Sequence, residues 1–314
     1  MNSNTSNSSS TSSTSSGSSR ASSPGARLRQ AWQEPPLCIP GVFAPLVARM
    51  AQRLGFRAVY LSGGALSAGY GVPDVGLLSV SEFADEIRRI AAATDLPLLA
   101  DADTGFGETL NVERTVRLYE SAGAAGLHLE DQQLPKRCGH LSGKTLIEPG
   151  QMEAKIRAAV AARRDPAFVI IARTDARGVT DLADALKRAE RYVAAGADAI
   201  FPEALQSVEE FAAFARALPG VPLLANMTEF GKSPLLAAQQ LAELGYAMVL
   251  YPLTAFRAAM RAAQETLGSL ARLGHQRDSL PSMLTRAELY DLLDYTDYEA
   301  RDRVYFSVSV TPPP

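Results

Sequence analysis

Asp101 and Asp103 lie two residues apart at the end of an apolar run, and Glu130 ends a second such run. An extended backbone aims side chains at i and i+2 to one side, so both aspartates and the neighbouring glutamate can converge. Carboxylates gathered this closely need a cation if they are to stay ionised together. Hard oxygen donors that leave room for water suit Mg2+, with Mn2+ as a substitute. Taken singly, each carboxylate would serve equally as a helix cap or an ion-pair partner.

A thiol supplies the second candidate chemistry. Cys138 sits in Lys136-Arg137-Cys138-Gly139-His140, flanked by two cations and an imidazole. Such surroundings lower a thiol from its usual pKa of about 8.5 toward neutrality, where it exchanges protons efficiently. Lys136 and His140 are thus expected at the reacting centre with Cys138, and Gly139 leaves the backbone free to meet a ligand. Arg173 ends another apolar run, and its planar fork suits two-pronged capture of a carboxylate. A structural ion pair with Glu203 is the competing reading for Arg173. Ser62-Gly63-Gly64 would let backbone N–H groups approach a ligand, although a glycine pair after a strand also marks a tight turn. His128, two residues before Glu130, is read as filling the interior or orienting a carboxylate. His275 receives no role.

The elements that must position these residues repeat one pattern: a short apolar run, a polar or glycine-rich loop, then an amphipathic stretch. Eight runs qualify as strands, at 38–42, 58–62, 97–101, 126–130, 168–173, 198–201, 222–226 and 247–251. They are nearly continuous in apolar residues, as strands of a parallel sheet covered on both faces should be. Helices are expected at 81–94, 111–122, 151–163, 181–195 and 233–244, with Gly55, Gly123, Gly196 and Gly245 closing helices just before the next strand. Eight βα units with no early glycine-rich phosphate loop favour a closed (β/α)8 barrel over an open doubly wound sheet. In such a barrel the active site forms at the C-terminal ends of the strands. Nearly every strand here ends in polar residues: Ser62, Asp101 to Asp103, Glu130, Arg173 to Asp175, Glu203, and Asn226-Met227-Thr228.

Composition narrows the partners. The 31 basic and 34 acidic residues nearly cancel, to a formal net charge of -3, and are interleaved. No field of one sign favours nucleic acid or an anionic membrane, which leaves a small molecule as the default partner. No apolar run reaches the ~18 residues of a membrane span. The two cysteines, Cys38 and Cys138, have no metal-site or disulfide spacing and fit a reducing cytoplasm. Thirteen serines fall within the first 25 residues, which are expected to be a disordered tail. One barrel domain is expected over 26–300, with helical extensions to about 273 and over 286–293, followed by a C-terminal tail over 301–314. The later helical stretch has the character of a surface that packs on a partner subunit.

The segment Lys136-Arg-Cys-Gly-His140, with Tyr60-Leu-Ser-Gly-Gly64, Asp101-Ala-Asp-Thr-Gly-Phe-Gly107 and Ala172-Arg-Thr-Asp175, closely resembles the isocitrate lyase and phosphoenolpyruvate mutase superfamily. The likeness covers residues 38 to about 300. Phe201-Pro-Glu-Ala204, Leu224-Ala-Asn-Met-Thr-Glu-Phe-Gly231 and Tyr251-Pro-Leu-Thr-Ala-Phe-Arg257 narrow it to the branch that cleaves 2-methylisocitrate to pyruvate and succinate. The resemblance implies an α/β barrel with Mg2+ held near Asp101 and Asp103, Glu130 assisting through water. It implies substrate contacts from Ser62, Gly63, Gly64, Asp74, Cys138, Gly139, Arg173, Glu203, Asn226, Met227, Thr228, Arg257 and Arg286. Cys138 would be the general acid, and Tyr60 or a metal-polarised water the base. It also implies a homotetramer whose neighbours exchange a C-terminal helix. Ala65 replaces a third glycine, and the 69–74 stretch is one residue shorter than the family pattern, which bears on substrate preference. The neighbouring readings are a lyase or hydrolase acting on isocitrate, 2,3-dimethylmalate or oxaloacetate, a phosphonate-forming mutase, and a non-catalytic metabolite-binding barrel.

Overall fold

The computed structural model describes residues 22–137, 139 and 143–307. Eight parallel strands form its centre: β1 Leu37–Pro40, β2 Val59–Leu61, β3 Leu98–Asp101, β4 Gly126–Glu130, β5 Val169–Thr174, β6 Ala199–Pro202, β7 Leu224–Asn226 and β8 Met248–Tyr251. Strands β2 to β6 pair in sequence order, and β1 pairs with β8, which pairs with β7. Parallel bridges Gly41–Tyr60 and Ile200–Leu223 join the two sheets, so the strands close into the expected barrel. All eight predicted strands are present, with ends displaced by a residue or two.

Helices cover the outside. The first six are α1 Pro24–Ala31, α2 Pro45–Arg53, α3 Gly63–Gly69, α4 Val80–Ala91, α5 Thr109–Ala122 and α6 Pro149–Ala162. The others are α7 Leu182–Ala194, α8 Val208–Ala217, α9 Ala238–Glu243, α10 Thr254–Leu273, α11 Arg286–Leu292 and α12 Tyr295–Ser307. Local chemistry sets their ends. Ser79 and Glu82 form a reciprocal capping box at the start of α4. Gly123, at φ +100°, ends α5 in the left-handed conformation that turns the chain back into β4.

Two apolar layers hold the barrel. Inside it, Leu37, Ile39, Tyr60, Leu99, Ile171, Phe201, Leu224 and Met248 pack with Leu28 of α1 and with Trp32 at its C-cap, which close the N-terminal end. Between strands and helices lies a larger cluster that includes Phe83, Ile87, Val116, Tyr119, Ile156, Tyr192 and Phe211. The strands are therefore buried on both faces, as their continuous apolar runs require.

Four features depart from the sequence reading. α1 starts at Pro24, inside the expected tail, because Ser23 caps it by accepting from the Ala26 N–H and proline suits a first helical turn. α3 begins at the glycine pair read as a ligand loop or tight turn, with Ser62 accepting from the Ala65 N–H as its cap. α9 is shorter than expected, since Pro234 falls in the segment meant to open it. α12 runs across the domain boundary expected at 300. Residues 1–21 and 308–314, which hold most of the expected N-terminal tail and half of the C-terminal one, lie outside the described residues. None of α10, α11 and α12 has a fully buried residue, and Leu267, Leu273, Leu284, Tyr295, Tyr298 and Phe306 stand exposed on them or beside them. Among the described residues no helix is long and apolar enough to cross a membrane.

Candidate active site

The parallel register sets the rim. Asp101 of β3 pairs with His128 of β4, and Glu130 pairs with Arg173 of β5, so acid and base alternate around one mouth. A narrow polar cavity of about 60 Å³ opens there, lined among others by Tyr60, Ser62, Asp74, Asp101, Glu130, Lys136, Gly139, Arg173, Glu203, Asn226 and Thr228. Most residues singled out from the sequence are thus brought together. Gly63 and Asp103 lie just behind this lining, bonded to Asp101 and Lys136 respectively. Met227 is buried, its sulfur accepting from the Leu236 N–H at 3.3 Å. Arg257 is not in the cavity; it pairs with Glu229 at 3.1 Å and stacks on Phe230. Arg286 is exposed at the start of α11 and also stands apart. Cys138 and His140 lie outside the described residues.

Asp101 is engaged on three sides. It accepts from the Gly63 N–H at 3.1 Å, the Asp103 N–H at 3.0 Å and the Tyr60 hydroxyl at 3.3 Å. Burial pushes its pKa up, but His128, Lys136, Arg173 and the Asp103 N–H outweigh burial and hold it at about 2. Asp103 moves the other way, to about 7, through burial and the Asp101 charge against the opposing pull of Lys136. Its backbone sits at φ +44°, a left-handed strain that Asp tolerates better than most residues, and its carboxylate meets Lys136. Lys136 closes this side: its ammonium lies 2.6 Å from Asp103 and also contacts Asp74.

Tyr60 and His128 form the floor, hydroxyl to Nε2 at 2.8 Å. Burial, then the Asp101 charge, raises the Tyr60 phenol well above its usual value, so at neutral pH it keeps its proton and donates. Burial lowers His128 to about 4, which keeps the imidazole neutral. His128 therefore both fills the barrel and sits 3.6 Å from Asp101.

Arg173 is held on three sides, by Asp175 at 3.0 and 3.2 Å, Glu203 at 3.2 Å and Glu130 at 3.3 Å, and stacks on Phe201 at 5.0 Å. The Glu203 pair anticipated as an alternative to carboxylate capture is therefore present. Asn226 donates to Glu203 at 3.2 Å, leaving its own buried carbonyl oxygen without a hydrogen-bond partner among the described residues. Gly139 fits directly over this group; a Cβ on it would fall 2.3 Å from Arg173 Nη2 and 2.6 Å from Glu203 Cγ.

Sequence reasoning assigned no role to Asp175, Asp131 or Phe201. The repeated polar strand end signalled Asp175, but only the folded chain shows that it, and not Glu203 alone, clamps Arg173. Phe201 carried a weaker signal, an aromatic at a strand end, and Asp131 directly follows Glu130.

The donor set suits a hydrated divalent cation. Among the described residues no three carboxylate, imidazole or thiol side chains close into a ready-made shell. Mg2+ does not require one, since it keeps several waters and takes one or two direct carboxylates. Six buried carboxylates (Asp101, Asp103, Glu130, Asp131, Asp175, Glu203) face four buried cations (Lys136, Lys144, Arg173, Arg188), an excess of acid at this rim. Glu130 Oε1 is buried without a hydrogen-bond partner among the described residues, and Asp103 Oδ1 lies near Lys136 without a well-aligned hydrogen bond. Unsatisfied buried acceptors of this kind are what a cation and its waters would serve.

The family model described as phosphoenolpyruvate phosphomutase matches residues 28–271. The chain belongs to the phosphoenolpyruvate mutase and isocitrate lyase superfamily. Within that superfamily it is 51% identical over 280 residues to a 2-methylisocitrate lyase of Aeropyrum pernix, covering 89% of this chain and 90% of that protein. Its fold matches a structure of oxaloacetate acetylhydrolase in complex with 3,3-difluorooxalacetate, with TM-score 0.86, 34% identity and coverage of 91% and 98% of the two chains. It also matches a superfamily structure of phosphonopyruvate hydrolase with oxalate and Mg2+, with TM-score 0.82, 34% identity and coverage of 91% and 100%.

Proposed function

We propose that the protein is a Mg2+-dependent carbon–carbon lyase that cleaves 2-methylisocitrate to pyruvate and succinate. The observation that carries the reading is the seat of Gly139 against Arg173 and Glu203, because it brings the residue bonded to Cys138 to the mouth lined by Asp101, with Asp103 behind it on Lys136. The 51% identity to a 2-methylisocitrate lyase, against 34% to the acetylhydrolase, favours lyase over hydrolase.

Asp101 and Asp103 would hold the cation, with Glu130 acting through water; when bound, Mg2+ would polarise the substrate's hydroxyl and adjacent carboxylate. Arg173, Asn226, Thr228, Ser62 and the Gly63-Gly64 backbone would hold the other carboxylates, each charge-assisted bond contributing roughly 1.5–3 kcal/mol. Transfer of the hydroxyl proton to a water at the mouth lets the bond between the carbinol carbon and its neighbour break, and the carbinol carbon becomes the ketone of pyruvate. The electron pair passes to the succinate carbon and spreads into its carboxylate as an aci-carboxylate. Cys138 then returns a proton to that carbon, with Lys136 and His140 tuning the thiol. Tyr60, its phenol raised by burial and the Asp101 charge, donates a hydrogen bond toward the developing charge.

The exposed apolar residues of α10 to α12 support packing against further copies of the chain, as a helix-exchanged tetramer would require. Exchange would also carry Arg286, remote from the cavity of its own chain, toward that of a neighbour. Steady-state kinetics on 2-methylisocitrate, isocitrate, 2,3-dimethylmalate and oxaloacetate side by side test the assignment. The reading requires the highest kcat/KM on 2-methylisocitrate; a preference for any of the others replaces it.

A further inference from the structure

Lys144 takes no part in the chemistry above, yet its ammonium is wholly excluded from solvent. A buried ammonium is costly unless it is paired and hydrogen-bonded. Among the described residues Lys144 has two partners: Asp175 Oδ1 at 2.7 Å and the carbonyl oxygen of Gly139. The first is the carboxylate that clamps Arg173, and the second belongs to the residue packed on Arg173 and Glu203. Asp175 is itself fixed from behind, its N–H donating to Asp131 Oδ1 at 2.9 Å. Asp131 is held by the hydroxyls of Thr174 and Tyr192, each at 2.8 Å.

Resting on the lyase reading, we propose that Lys144 is a positioning residue for the reaction, joining the Gly139 carbonyl to Asp175 and so setting where Gly139 sits over Arg173 and Glu203 beside the bound substrate. The arrangement is directional. Asp175 and Arg173 stay paired without Lys144, so the carboxylate-binding fork survives its removal, whereas Gly139 loses the only cation the described residues place on its carbonyl. A role confined to stability would lower the melting temperature and leave turnover of the folded enzyme unchanged.

The test is Lys144→Met, which keeps the apolar stem and removes the donors. The proposal expects kcat for 2-methylisocitrate to fall about 10²-fold, the loss that follows ~1 Å of misplacement, while KM and pyruvate inhibition shift by less than about threefold. A kcat within about threefold of wild type in folded protein overturns it. Should Lys144→Met fail to fold, Gly178→Ala decides: its new Cβ would press on Lys144 Nζ from 3.2 Å with the lysine still in place. A kcat loss of about three- to tenfold at constant KM supports the proposal, and wild-type kcat overturns it. Wild-type enzyme run in parallel separates the two claims. If it cleaves a different acid, the lyase reading fails and the Lys144 comparison is made on that acid.

Discussion

Substituting Gly139 by alanine tests the seat of the Cys138 segment with a single methyl group. That Cβ would lie 2.3 Å from Arg173 Nη2 and 2.6 and 2.8 Å from Glu203 Cγ and Cδ. Ordinary carbon contacts lie near 3.5–4.0 Å, so one side must retreat by about 1 Å. Neither Arg173 nor Glu203 can give way cheaply, because Arg173 is pinned by Asp175, Glu130 and Glu203, and Glu203 accepts from the Ala204 N–H at 2.9 Å. The displacement therefore falls on Gly139 and the residue bonded to it. A misplacement of ~1 Å costs on the order of 10²-fold in rate, equivalent to about 2.7 kcal/mol. Gly139 does not sit at a positive φ, so the loss comes from contact and not from backbone strain. Pyruvate release followed by a coupled assay should show kcat down about 10²-fold with the melting temperature nearly unchanged. Turnover within about threefold of wild type would mean that Gly139 does not seat here during the reaction.

Other outcomes follow from the same geometry. Cys138→Ser should lose about 10²–10⁴-fold in kcat while isothermal titration still detects Mg2+ and pyruvate binding; normal turnover would remove the thiol from the mechanism. Arg173→Lys keeps the charge but cannot reach Asp175, Glu203 and a substrate carboxylate together, so kcat/KM should fall at least about tenfold. His128 gives a pH signature. Its folded pKa of about 4 lies below the unfolded 6.5, so the unfolded chain binds the proton first and stability is lost as pH falls from 6.5 to 4. That contribution is on the order of 3 kcal/mol, so the denaturation free energy of His128→Gln relative to wild type should rise by about that much as pH falls from 6.5 to 4. An unchanged pH slope would contradict the buried neutral imidazole.

Much of the barrel was legible because each strand is a short apolar run buried on both faces, a pattern that survives without knowledge of its neighbours. The rim acids and Arg173 were legible for a related reason, since a charged residue ending such a run must go to the mouth. Pairing was not legible. Whether Arg173 meets Glu203, Asp175 or Glu130 depends on strand register and rotamer, and all three contacts exist. The buried placement of Lys144 depends on a loop folding back onto β5, which no local spacing encodes. α1 was hidden by its serine-rich surroundings, although Ser23-Pro24 is a helix-start signature. α12 escaped because its exposed residues give no single apolar stripe to read.

The lyase assignment meets its most direct test in product analysis after metal removal. Enzyme stripped with EDTA should release no pyruvate from 2-methylisocitrate, and added Mg2+ should restore pyruvate and succinate in equal amounts. Equal release in the presence of EDTA, or no pyruvate with Mg2+ supplied, would contradict a metal-dependent cleavage at the Asp101–Asp103 mouth.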